Sequence, residues 1–209
     1  MIRLSAARCR LPGPLCAPAP RLALVCLGLV APLAGGCEDP VLAERIAALG
    51  PEDPAVPPGP LHRPGQPCLV CHGSGHGSGP GSGPGSGASR LSVAGTVFRT
   101  PDSRRPIGGV EVRLIDASRR WFIAHTNCTG NFAVTPGEYE PVMPLWVSLS
   151  GQGLHIDMES AMNKDGDCGT CHQIDKSPTS AGPVYLTDDP SIPDSGPGSG
   201  PTGCGGSRP

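Results

Sequence analysis

Between residues 90 and 154 apolar and polar positions alternate with period two, as in strands that have one buried and one wet face. Val93-Ala94-Gly95-Thr96-Val97-Phe98 is rich in strand formers, and a turn cluster follows from Pro101 to Gly109. Val110, Val112 and Leu114 then alternate with Glu111 and Arg113. Asp116 to Arg120 reads as a hairpin loop into a strand from Trp121 to His125. Thr126 to Asn131 is a turn by residue chemistry, followed by Phe132-Ala133-Val134. Leu145, Val147 and Leu149 alternate with Trp146, Ser148 and Ser150, and Val184-Tyr185-Leu186 forms a last short strand. Five or six short antiparallel strands joined by Gly and Pro turns predict a mainly β protein built on a small antiparallel β-sandwich. Helical spacing occurs in two places outside it. Val41, Leu42, Arg45, Ile46 and Leu49 predict a short helix over Pro40 to Leu49, and His155, Met158 and Met162 share one helical face at i, i+3 and i+7.

Composition sharpens this picture. Among 209 residues there are 31 Gly and 27 Pro but only seven aromatics, and all seven lie between Phe98 and Tyr185. One large enzyme core and a long helical protein are both excluded by that balance. Residues 37–67 read as a Pro-rich tether, residues 73–89 (GSGHGSGPGSGPGSGAS) as a flexible linker, and residues 188–209 as a disordered tail that repeats the linker string SGPGSGP.

The first 36 residues hold Arg3, Arg8, Arg10 and Arg21 and no acidic residue, followed by an apolar run from Leu22 to Ala34. That run is shorter than the roughly 18 residues a spanning helix needs. The pattern is that of a secretory signal peptide over residues 1–36. Its end, Leu33-Ala34-Gly35-Gly36-Cys37, resembles a bacterial lipoprotein signal, which implies that Cys37 becomes lipidated and tethers the chain to a membrane surface. Ordinary signal cleavage, leaving Cys37 a spare thiol, is the alternative. Without the four arginines of the signal, 12 basic residues face 18 acidic ones, a net charge of −6. A nucleic-acid footprint would be basic, so nucleic acid is excluded as a partner.

Ten cysteines are the strongest chemical signal. Cys68-Leu69-Val70-Cys71-His72 and Cys168-Gly169-Thr170-Cys171-His172 are both C-x-x-C-H, the attachment pattern of haem c. Two thiols one helical turn apart can each add to one vinyl group of the same porphyrin. The adjacent histidine is then carried under the iron as its proximal ligand. The expectation is two covalent haems c, bound by Cys68, Cys71, Cys168 and Cys171, with His72 and His172 as proximal ligands. Residues 68–72 form the first haem segment, and residues 155–187 hold the second together with the last strand.

Rival uses of these cysteines are a four-thiolate zinc site, a redox dithiol and structural disulfides. Zinc ribbons keep their pairs within a few tens of residues, whereas 96 residues separate Cys71 from Cys168. Zinc also gives no reason for a histidine after each pair. Of the remaining cysteines, Cys9, Cys16 and Cys26 leave with the signal, and Cys128 and Cys204 can pair with each other. For the distal iron position, Met162 and His155 are the candidates on the helical face, and packing against the sandwich is the competing role of that stripe. His62, His76 and His125 are further histidines, of which His62 or His76 could reach the first iron.

Two resemblances follow from these residues. The succession VAGTVF, PIGGVEVRLID, HTNCTGNFAV and LWVSLSGQG resembles the carboxypeptidase-regulatory-like, or transthyretin-like, sandwich domain, itself immunoglobulin-like in architecture. Over residues 66–187 the strings QPCLVCHG, AMNKDGDCGTCH and AGPVYL around that sandwich resemble exported, cytochrome-like bacterial proteins with a C-x-x-C-H on either side. This resemblance implies haem and export and carries no reaction with it; the haem sites themselves lead to the expectation of a monomeric electron carrier of the periplasm or cell envelope whose partners are other redox proteins. Two other readings compete: a peroxidase-like haem enzyme, for which no acid–base constellation is present, and a sandwich that binds a protein or glycan with structural C-x-x-C-H sites.

Overall fold

A computed structural model gives the fold and describes residues 40–56, 59–73, 89–102, 105–174 and 178–191. Residues 1–39, with the expected signal and Cys37, most of the 73–89 linker with His76, and the tail from residue 192 with Cys204 lie outside the described residues. Among the described residues no helix is long and apolar enough to cross a membrane.

Eight strands form two sheets, as the period-two pattern predicts. The first is centred on β1 (Val93–Phe98), which pairs antiparallel with β4 (Asn131–Val134) along one edge. The other edge of β1 is shared by two short parallel partners. β7 (Gly166–Asp167) pairs at Val93 and Ala94, and β8 (Val184–Tyr185) at Val97 and Phe98. The second sheet is antiparallel throughout, in the order β3 (Trp121–His125), β2 (Glu111–Asp116), β5 (Leu145–Gly151), β6 (Leu154–Asp157). One apolar core joins the sheets, drawing Val93, Val97, Phe132 and Val134 from the first and Val112, Leu114, Leu145 and Leu149 from the second. The small antiparallel sandwich is therefore present, with parallel pairing at one edge as a departure from the expectation.

Alternation reads directly in β2, where Val112, Leu114 and Asp116 are buried and Arg113 is exposed. On the outer face, Trp121 and Trp146 flank Ile115 across the strands and remain largely exposed. Every residue of β1 is buried, so the strand is covered on both faces. At one face Gly95 admits Cys168, and a Cβ there would lie 2.8 Å from the Cys168 Cβ. From the alternate position Thr96 Oγ1 accepts a hydrogen bond from the Gly65 amide at 2.7 Å.

Three short helices complete the described chain. α1 (Pro40–Ala48) lies where the spacing places it. α2 (Leu69–His72) and α3 (Cys168–Cys171) are single turns carrying the two C-x-x-C-H strings. The expected helix over 155–162 is absent. Leu154–Asp157 is instead strand β6, paired with β5 at Ser148, Leu149, Ser150 and Gly151, because Leu154 and Ile156 alternate toward the core while His155 and Asp157 face solvent.

Candidate haem-attachment site

In both motifs the carbonyl of the leading cysteine closes the turn onto the histidine amide. The His72 amide donates to the Cys68 carbonyl at 3.0 Å, and the His172 amide to the Cys168 carbonyl at 2.9 Å. Each turn therefore places its histidine four residues after the leading cysteine, one helical turn on. The imidazoles are also held alike. His72 Nδ1 lies 2.9 Å from the Ser89 carbonyl oxygen, and His172 Nδ1 2.9 Å from the Gly182 carbonyl oxygen. A carbonyl only accepts, so each Nδ1 carries the proton and each Nε2 keeps its lone pair for a metal. This is the outer-shell arrangement that orients metal-binding histidines.

Sequence gave no reason to expect the two motifs in contact, yet they abut. α2 has no side-chain cap of its own, since its N-cap is Cys68. Asp167, the N-cap of α3, serves both turns. Its Oδ1 accepts from the Gly169 amide at 3.1 Å, and its Oδ2 accepts from the Leu69 amide, 98 residues away in sequence, also at 3.1 Å. Gly169 permits the approach, because a Cβ there would sit 2.7 Å from Pro67 Cα. Burial pushes the Asp167 carboxyl up to about 6, against the downward pull of the Leu69, Thr170 and Gly169 hydrogen bonds.

All four motif cysteines are free thiols, with Cys168 buried and Cys171 exposed. Burial, reinforced by the Asp167 charge, pushes the Cys68 thiol up to about 12. Burial, then Asp167 and Cys68, also raises the Cys168 thiol, and burial raises Cys71 despite the nearby Arg63. Redox dithiols work by the opposite shift, toward thiolate, so the surroundings of Cys68, Cys71 and Cys168 do not favour that chemistry. Among the described residues no three His, Cys, Asp or Glu side chains converge on one metal position.

The other sequence candidates are dispersed. His155 stands on β6 with Nδ1 2.8 Å from Ser150 Oγ and Nε2 3.2 Å from Asp157 Oδ1, so both ring nitrogens are already engaged. Met162 pairs with Leu145 through both backbone amides and packs on the sandwich core. The shared helical face that linked the two residues does not exist, and packing is the observed role of Met162. Cys128 is disulfide-bonded, and the four motif thiols are not its partners. Its expected partner Cys204 lies outside the described residues.

Part of the tether is bound to the fold. Residues 59–67 are fastened to the sandwich: Asn127 Nδ2 donates to the Pro60 carbonyl at 2.7 Å, and Asn131 Nδ2 to the His62 carbonyl at 2.9 Å. The Arg63 guanidinium gathers the Leu49 and Gly50 carbonyls at the end of α1. The Leu91 amide donates to the His72 carbonyl at 2.9 Å, which ties the start of the sandwich to the first motif. Asp167, Asn127 and Asn131 are the positioning residues that sequence reasoning missed. An Asp before Cys168 is a legible N-cap signal, but nothing local identifies Leu69 as its second donor.

Set against known protein families, curated proteins and solved structures, the chain matches none.

Proposed function

We propose that this protein is an exported carrier of electrons that binds two covalent haems c as an adjacent pair on a β-sandwich. The observation that carries the proposal is the repetition, at two sites 100 residues apart, of one arrangement: a C-x-x-C-H turn, free thiols, and a histidine whose Nδ1 is tied to a backbone carbonyl. Cys68 and Cys71 would hold one porphyrin and Cys168 and Cys171 the other. Nε2 of His72 and of His172 would be the proximal ligands. When bound, the haems supply a one-electron couple.

The chain's own contribution is position and environment. Asp167 holds the two turns together, and β1 presents an apolar wall to Cys168 while Cys171 stays at the surface. Cys168 would hold a porphyrin from the buried side of the motif and Cys171 from the exposed side, where a redox partner of the cell envelope would meet it. The basic and apolar start of the chain supports export, and Cys37 supports a lipid anchor. The resemblance to exported cytochrome-like bacterial proteins with a transthyretin-like sandwich supports the same assignment.

Pyridine haemochrome absorbance of the purified exported protein tests it. Two haems per chain are expected. The pair Cys68→Ala/Cys71→Ala should retain one haem, and so should Cys168→Ala/Cys171→Ala. A chain without haem, or with zinc in its place, overturns the proposal.

A further inference from the structure

His62 precedes the first motif by six residues, and the fold brings its ring against that of His72. The ring centres are 5.8 Å apart and the planes are inclined by 49°. His62 Nδ1 is hydrogen-bonded to the Gly59 carbonyl, so its proton lies on Nδ1 and its Nε2 lone pair is left for a metal, as in His72 and His172. With a metal–imidazole bond of about 2 Å and about 1 Å from nitrogen to ring centre, two rings on opposite sides of one metal would stand about 6 Å apart. The observed spacing agrees with that figure.

The backbone that carries the ring is fixed as well. The His62 carbonyl accepts from Asn131 Nδ2, and the preceding Pro60 carbonyl accepts from Asn127 and Asn131. Immediately after it, Arg63 adopts a left-handed backbone with φ 49°, a conformation that non-glycine residues avoid. Four hydrogen bonds from the Arg63 side chain, to Leu49, Gly50, Glu52 and Gln66, hold the chain in that turn. An idle surface histidine would need none of this.

We infer that His62 is the distal ligand of the first haem, giving that iron two imidazoles. This rests on the haem assignment above. The test compares the exported holoprotein with its His62→Ala variant by haemochrome absorbance and by electron paramagnetic resonance of the oxidised state. The expected result is an unchanged haem count with one of the two irons converted from low spin to high spin, and a return to low spin when free imidazole is added. An unchanged spin state in His62→Ala overturns the inference while leaving the haem assignment intact. If the variant loses haem altogether, the unaltered protein decides: with 15N-histidine labelling, iron-bound imidazoles should include His62, His72 and His172. Coupling from His72 and His172 alone overturns the inference. Absence of haem from the unaltered protein fails the haem assignment itself and the inference with it.

Discussion

Asp116 shows how a single buried carboxylate organises one end of the sandwich. Its side chain is fully buried at the end of β2 and accepts from the Arg120 amide at 3.0 Å, the Arg120 guanidinium and the Val142 amide. Burial alone would raise its pKa. The hydrogen bonds from Val142 and Arg120, together with the Arg120 charge, outweigh that and hold the carboxyl below its ordinary value. A depressed folded pKa contributes stability that is present above the unfolded value and lost as pH falls through the folded one. The expected outcome is an acid limb of stability below about pH 4. Asp116→Asn should lower the thermal midpoint at neutral pH and flatten that limb. Thermal unfolding from neutral pH to about pH 2 checks this. Parallel curves for the two proteins would show that Asp116 is not the titrating group.

At the scale of elements, the two motif turns stand or fall together. Each is only four residues long, too short to persist without tertiary support. Asp167→Ala removes the acceptor from the first amide of α2 and from Gly169 in α3. A lost N-cap costs about 1 kcal/mol in a typical helix, and here α3 loses its cap while α2 loses the acceptor of its first amide. Native-state hydrogen exchange should quicken at Leu69 and Gly169 together, while the β2–β5 amides keep their protection. Faster exchange at Gly169 alone would mean that the carboxylate does not bridge.

The strands were legible because burial on one face writes a period of two into the sequence, as in Val112-Arg113-Leu114 and Leu145-Trp146-Val147. β6 was misread because His155, Met158 and Met162 happen to stand at helical intervals, whereas Leu154 and Ile156 carry the pattern that decides. β7 has only a Gly and an Asp, and its pairing with β1 depends on residues about 70 positions away, which no local pattern encodes. The C-x-x-C-H strings were legible as chemistry. Their adjacency was not, since it rests on Asp167 reaching Leu69 and on Gly169 admitting Pro67.

Across the whole molecule, the sandwich acts as a frame that draws distant segments to β1. The loop at 59–67, the first motif, the start of β1 and the second motif meet there through Gly65, His72, Leu91, Asp167 and Cys168. Glycine and proline are abundant in the chain, yet the candidate cofactor segments are clamped. Two haems bonded to these turns would form a fixed pair, fitted to pass an electron between them before it leaves to a partner. Electron paramagnetic resonance of the oxidised exported holoprotein, set beside its two single-motif cysteine variants, tests that claim most directly. The account predicts two haem irons whose joint spectrum differs from the sum of the variants, because neighbouring spins couple. A whole that equals the sum of its parts, or a protein without haem iron, would contradict it.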